Sequence, residues 1–495
     1  MKLKIYTILL ISVCSQMHAQ KFTLKWSEDT KTRGSIQVLG GNKDAIFVAN
    51  RTKDHELYCR KYNYNAQLID EQPVVFNFQE DKKYSYDGAF FMKDQISHFF
   101  REHKRKEDLN LLYTSSSDFN LKMSPDIKVL EELSDDATPF ADYRFSKDST
   151  KVLVYSGLKQ KRKDPFEMVF KIYDNTFQKL LFNKNVQLPF FSKKIYAVDF
   201  RIDNFENIYI LARVEKERDE REDDYSKFCY KIFIINKGDD IKEIKLDYKN
   251  NNISSIGLIP GDNDTFICSG FLRDISNSFF ARRKNVVTNE FFNCIIDCKT
   301  GTVKSSNVIE LEGLYPEKLR SEEDYVPYYV RSVYSRKDGG FVIVAEQYKI
   351  IIIHTQKYTT ERVYYCDVAC ININSKSEVE TVSRIPKYQL NATNPSIFST
   401  YYNDETYIIY EDVEKNIEAS DDKEIKRSSQ SLFSSDSKNA LFVATIKKDG
   451  SITKDILFSY KGTSLRPRIG SMLRVDKNKI ILNAYDTLGV LEIAK

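Results

Sequence analysis

Histidine is scarce in this 495-residue chain, and only His55, His98, His103 and His354 follow the N-terminal segment. No His-x-His or His-Glu-x-x-His pair occurs, which excludes the local signature of a histidine-held zinc centre. No Gly-x-Ser-x-Gly elbow presents a strained nucleophilic serine. No P-loop and no Gly-x-Gly-x-x-Gly turn follows a strand, so nothing marks a nucleotide cradle. Excess charge is also lacking: 75 basic against 71 acidic residues leave a net +4. Such a balance supplies no global field for nucleic acid or anionic lipid, so any electrostatic recognition must be local. Beyond the N-terminus no apolar run is long enough to cross a bilayer.

Cysteine is sparse, eight in all, and odd in number after Gln20. Seven follow Gln20, namely Cys59, Cys229, Cys268, Cys294, Cys298, Cys366 and Cys370, which argues against a disulfide scaffold. Cys294-x3-Cys298 and Cys366-x3-Cys370 have the look of a split zinc site. However, four residues along a strand span about 13 Å, far beyond the ~4 Å between two thiolates on one zinc. The pairs therefore read as small buried hydrophobes, and neither metal nor cofactor is expected. A Cys268–Cys294 cross-strand disulfide is the alternative in an oxidising compartment.

What the chain does have is tyrosine (31) and phenylalanine (32), which favour strands. It also repeats itself. Eight times an apolar strand, a polar turn and a strongly β-prone strand recur, the second strands beginning near Ala45, Gln95, Lys151, Asn207, Thr265, Gly340, Thr406 and Lys479. The steps of roughly 50 to 75 residues are the scale of a propeller blade with its loops. A third β-prone segment follows each hairpin, and a fourth follows seven of them, from AQLIDE to ITKDILFSY. The last unit lacks its fourth strand, and Phe22–Trp26 is available to supply it and close the ring. The expectation is an all-β fold: one eight-bladed propeller of four-stranded antiparallel blades over residues 20–495. Seven blades are the alternative if the Gln95 unit is misread.

Residues 1–19 read as a signal peptide: Lys2 and Lys4, an apolar stretch from Tyr6 to Val13, and a cleavage point at Ala19-Gln20. Cys14 offers a lipid-anchored alternative. An exported protein, periplasmic or at the cell surface, is expected. The Lys-, Asn-, Ile- and Tyr-rich composition with Ala-Gln cleavage resembles that of exported proteins from Bacteroidetes-type bacteria.

Long connections fall chiefly between the second and third strands of a unit, at residues 101–108, 157–165, 213–227, 273–290, 348–362 and 411–438. In a four-strand meander these emerge on one face of the disc, together with the blade-to-blade connections. Insertions confined to one face mark a binding face. Three of these loops are basic, and they nominate Lys104, Arg105, Lys161, Arg162, Lys163, Arg282 and Arg283 as binding residues, Arg as a fork and Lys as a point charge for anionic groups. Acidic runs at 217–224 and 411–422 share that face, which suits a protein partner better than nucleic acid. They read as solvated charge, since no Asp-x-Asp-x-Asp-Gly calcium loop exists. His98, between strand residues, reads as packed.

Phe145-Ser146-Lys147-Asp148-Ser149-Thr150-Lys151-Val152-Leu153-Val154 resembles the hairpin repeat of TolB-type and dipeptidyl-peptidase-type propellers, and Ser335–Val344 resembles it less closely. The resemblance implies fold, not activity. The sequence stops at the last strand, so no following hydrolase domain is expected. A single tryptophan sets aside tryptophan-docked propellers, and no sialidase Asp-box is present. The expected function is a monomeric, non-catalytic module of the cell envelope that holds a protein or anionic glycan partner on the long-loop face. The alternative is a glycan-active lyase or hydrolase with acid and base at the central channel.

Overall fold

The computed structural model describes residues 21–28, 35–52, 56–75, 84–104, 107, 109–134, 141–157, 161–217, 227–238, 240–246, 248, 251–261, 263–274, 287–315, 326–354, 358–390, 396–419, 425–426, 428–429 and 438–494. Residues 1–19, read as a signal peptide, and with them Cys14, lie outside them. Eight antiparallel sheets are arranged as blades, seven of them with four strands and one with additions. Blades 1 to 7 span 35–73, 84–134, 141–191, 195–246, 251–310, 328–385 and 397–459. Blade 8 is built from 473–493 together with Phe22–Trp26, which pairs antiparallel with Thr487–Ile493. The chain is an eight-bladed β-propeller. The unit near Gln95 is a complete blade, so the seven-blade alternative falls.

Burial explains why the second strands read as unbroken apolar runs. Lys151–Gly157 and Ile208–Glu215 lie between two strands of their own sheet, and both faces are covered by neighbouring blades. The fourth strands sit at the rim and carry charge instead, as in Thr302–Glu310, where most residues are exposed. Charge at an exposed edge discourages pairing with other chains.

Each junction between neighbouring blades holds its own apolar cluster. Between blades 3 and 4, Leu153, Phe170 and Val186 meet Ile195, Ile202 and Ile210. Between blades 8 and 1, Ile481, Leu488 and Val490 meet Ile36, Ile46 and Val48. The other junctions are filled in the same manner, so the core is a ring of interfaces and no single blade is self-sufficient.

Two structural features refine the sequence reading. The connection expected at 348–362 is largely a ribbon: Phe341–His354 and Thr359–Ile373 continue their pairing to His354↔Thr359. Isoleucines run along this arm, with Ile350, Ile351 and Ile352 all substantially exposed. Likewise Arg101–Lys104 extend the strand Ile96–Lys104 rather than a loop. The tight-turn face is built as expected. Asn403 and Asp404, between the paired Tyr402 and Glu405, both adopt positive φ (51° and 59°), the geometry of a two-residue hairpin turn, which Asn and Asp tolerate.

Candidate functional site

On the long-loop face the most distinctive arrangement lies where blade 3 passes into blade 4. Lys161, Arg162 and Lys163 are exposed, and their backbone is pinned. The Lys161 N–H donates to Asp164 Oδ2 at 2.6 Å, and the Ser192 N–H donates to the Asp164 carbonyl at 2.8 Å. Ser192 Oγ donates to the Lys161 carbonyl at 2.7 Å, and the Lys193 N–H to that of Arg162 at 3.4 Å. The loop is thereby tied to the single turn, Ser192–Lys194, that leads into blade 4. Its backbone is held while its three cationic side chains face water.

Aromatic side chains flank that turn. Phe191 is 50% exposed and Tyr196 64%. Tyr196 lies opposite Arg213 in the blade 4 ladder, and the Arg213 guanidinium sits 5.7 Å from the Tyr196 ring centre and 4.7 Å from that of Phe228. Lys227 adds a further cation 5.7 Å from Phe228. A guanidinium between two aromatic rings is held in place while its remaining N–H groups stay available to an acceptor. Val198, the extra residue of a bulge in Ile195–Ile202, is also exposed. The sequence reading missed Tyr196, Arg213 and Phe228. Their signal was the interleaving of aromatic and basic residues at strand ends, in Phe190-Phe191-Ser192-Lys193-Lys194-Ile195-Tyr196, outside the charge runs.

The other nominated residues fare differently. Lys104 is half-buried at the end of its strand and pairs with Glu107 Oε2 at 3.4 Å. Among the described residues no hydrogen bond or ion pair joins it to Lys161, Arg162 or Lys163. Arg105, Arg282 and Arg283 lie outside the described residues.

The 411–422 acidic run is corrected in part. Glu411 and Asp412 are buried in the strand Glu405–Val413, not solvated. Asn439 Nδ2 donates to Glu411 Oε1 at 2.9 Å, and the Tyr460 hydroxyl to Oε2 at 3.3 Å. Burial pushes the Asp412 carboxyl up to about 6. Nearby, Lys387 is buried with all its donors used: Nζ reaches Glu346 Oε1 at 2.6 Å, Ser396 Oγ at 2.7 Å and Gln389 Oε1 at 3.0 Å. Arg331 holds the other Glu346 oxygen from Nε at 2.9 Å. This network ties blade 6 to the start of blade 7.

The inner strands of blades 2 to 4 carry a second belt of charge, where an acid and base at the channel would sit. Arg101 donates to Asp87 Oδ2 at 2.9 Å, and the Tyr143 hydroxyl to the same oxygen at 3.2 Å. Arg144 and the Tyr155 hydroxyl both donate to Asp142 Oδ2 at 3.0 Å. Arg201 Nε donates to Asp199 Oδ2 at 2.9 Å. Burial raises the Asp199 carboxyl against the pull of Arg201 and Arg144. Each carboxylate is matched by an arginine; the Arg144–Asp142 and Arg201–Asp199 pairs lie within single strands, while Arg101, Tyr143 and Tyr155 make the bonds between strands. His98 is buried, with Nε2 3.1 Å from Ser117 Oγ and its pKa lowered to about 3 by burial, so it packs as expected. The described cysteines are all buried free thiols.

No protein-family model matches the chain, and no curated protein does. Among solved structures, the WD40 domain of SCAP from fission yeast is similar at 11% identity and a TM-score of 0.40, covering 96% of this chain and 99% of that one. The β-propeller domain of the Trilobed protease from Pyrococcus furiosus is similar at 12% identity and a TM-score of 0.36, over 86% of this chain and 96% of that one. A member of the duf4221 family from Bacteroides vulgatus is similar at 12% identity and a TM-score of 0.32, over 86% and 99%. The likeness is one of fold. No helix among the described residues is long and apolar enough to cross a membrane.

Proposed function

We propose that this protein is an exported, non-catalytic interaction module of the bacterial cell envelope, monomeric, and that it holds a protein or anionic glycan partner on its long-loop face. The 1–19 leader directs export in this reading, with anchoring through Cys14 as the variant form. The observation that carries it is the Arg213 guanidinium between Tyr196 and Phe228, beside the pinned cations Lys161, Arg162 and Lys163. Carboxylate or sulfate groups would meet the cations, and a partner's apolar or ring surface would meet the aromatic patch. Lys104, Arg105, Arg282 and Arg283 form the outlying part of the same proposed face.

The test is affinity capture from envelope extract, run beside a uronate-rich glycan array. Baits are the chain from Gln20, the triple reversal Lys161→Glu, Arg162→Glu, Lys163→Glu, and the pair Tyr196→Ala, Phe228→Ala. A partner retained by the parent and lost by both variants, with melting unchanged, supports the reading. A partner that binds all three alike places recognition elsewhere and sinks it.

A further inference from the structure

The opposite face of the disc, where turns are short, holds a cavity of about 360 Å³ shared by blades 3, 4 and 5. Its walls come from three inner hairpin turns, those carrying Lys147 and Asp148, Asn204 and Phe205, and Asn263 and Asp264. The turns are drawn together across blade 4. Lys147 Nζ reaches the Gly261 carbonyl of blade 5 at 2.9 Å, and the Asp148 N–H donates to Asn204 Oδ1 at 3.2 Å. The Asn207 side chain donates to the Cys298 carbonyl at 2.8 Å, which fixes blade 4 to blade 5 below the cavity. A preformed concavity with an apolar floor and a few polar groups has the make-up of a small-molecule site.

The chemistry of the walls selects the ligand. Carboxylates outnumber ammonium groups there, which disfavours an anion. The carboxylates are also committed. Asp203 accepts from the N–H groups of Phe205 and Asn207 at 2.8 and 2.9 Å, and from the Asn207 amide and Tyr209 hydroxyl at 2.7 and 3.0 Å. Asp264 pairs with Lys299 at 3.0 Å, and Asp148 Oδ1 accepts from Ser146 and Thr150 hydroxyls at 2.6 and 2.8 Å. What remains is different in kind: the Asn263 amide, the Nδ2 side of Asn204, whose Oδ1 already holds the Asp148 N–H, and the Phe205 ring, 42% exposed at the cavity wall with Lys299 Nζ 5.6 Å from its centre. An aromatic face with amide donors and acceptors around it matches a ring that is apolar on one side and carries hydroxyls at its edge.

We propose that this cavity is a binding site for an uncharged sugar of about one or two hexose rings, a size suited to a pocket at the small end of the ~300–1,000 Å³ range. The ring stacks on Phe205, and its hydroxyls are read by Asn204 and Asn263. The site is independent of the long-loop face.

The experiment is ligand-observed NMR with a panel of neutral hexoses, N-acetylhexosamines and their disaccharides, with galacturonate and an alkylamine as charged contrasts. Variants are Phe205→Ala and Asn263→Gly, the glycine chosen because Asn263 has positive φ. The expected result is saturation transfer from at least one neutral sugar, weakened about tenfold or more in each variant. Melting should stay unchanged, and the Tyr196→Ala, Phe228→Ala chain should bind normally. Absence of transfer from every neutral sugar, preference for either charged contrast, or sugar binding that survives Phe205→Ala each overturns the proposal.

Discussion

Phe22 lies directly opposite Ile493, so the first described strand of the chain completes the blade formed by the last. Around this pairing the Ala494 N–H donates to the Lys21 carbonyl at 2.8 Å, and the Ser27 N–H donates to that of Leu488 at 2.7 Å. Phe22 also belongs to the apolar cluster between blades 7 and 8. The strand therefore closes the ring in two senses, by ladder bonds and by burial.

Removing residues 21–27 exposes the edge of Thr487–Ile493 and opens the cluster behind it. The expected outcome is a sharp drop in melting temperature and a tendency to associate, read by circular dichroism and light scattering. A point variant makes the same test without truncation. A Cβ on Gly489 would meet the Trp26 ring at 2.6 Å, so Gly489→Val displaces it. The cost should be about 1–3 kcal/mol, the scale of overpacking. Trp26 is the sole tryptophan, so its emission should shift in the folded variant. Unaltered emission and melting in Gly489→Val would falsify the closure.

Lys387 gives a second test. Its ammonium is buried among Glu346, Gln389 and Ser396, and Glu346 is fully buried as well. Taking away one partner of a buried pair leaves the other charge uncompensated, at a cost of about 3–5 kcal/mol. Lys387→Met should destabilise by that order in urea titrations. Adding Glu346→Gln should recover part of the loss, although Arg331 then loses its partner. A single variant with wild-type stability would show that the pair contributes nothing.

Much of this architecture was legible in the sequence because it repeats. Second strands buried on both faces have to be apolar throughout, which is why Val152-Leu153-Val154 and Ile208 to Leu211 stand out from their polar turns. The closing strand was legible because one unit fell short by a strand and Phe22–Trp26 had nowhere else to go. Side-chain placement was less so. The run at 411–422 has the composition of a solvated loop, yet Glu411 and Asp412 lie in a strand, buried by contacts from Asn439, Tyr460 and Asn416 that are distant or unpatterned in sequence. Tyr196, Arg213 and Phe228 come together only because antiparallel register aligns three strands, and no local motif encodes that. The cavity at Phe205 is assembled from turns of three blades, each ordinary by itself.

The cysteines offer a third test. All seven described thiols are buried, and burial holds Cys59, Cys298, Cys366 and Cys370 up near about 12 and Cys294 near about 11. The thiolate is the reactive form, so alkylation of the folded chain at pH 8 should be slow at every one. Denaturation of the chain from Gln20 should expose all seven. Cys268 and Cys294 face each other across the ladder of blade 5 as free thiols, so the denatured count should not rise on adding reductant. Mass spectrometry after iodoacetamide reads both outcomes. Rapid labelling of the folded chain, or two thiols appearing only after reduction, would contradict the arrangement.

Asp412 provides the pH test. Its carboxyl titrates near about 6 in the fold because burial disfavours the charged form. A free aspartate titrates at about 3.9. Between those values the folded chain holds a proton that the unfolded chain has released, so unfolding free energy falls as pH rises through the window. Above about pH 6 the penalty is complete, about 1–3 kcal/mol. Asp412 Oδ1 accepts from both Asn416 Nδ2 and the Val413 N–H at 2.8 Å, and an asparagine carbonyl can keep both bonds. Asp412→Asn should therefore stabilise the protein at pH 7.5 and have little effect at pH 4. His98 acts with the opposite sign, since its folded pKa of about 3 lies below the unfolded value and its contribution is lost as pH falls. The wild-type curve thus mixes the two, and the difference between wild type and Asp412→Asn isolates the carboxylate. Urea melts of both chains at pH 4, 5, 6 and 7.5 measure that difference directly. It should grow from near zero at the acid end to its full size above pH 6, and a difference independent of pH would mean that Asp412 titrates alike in the folded and unfolded chains.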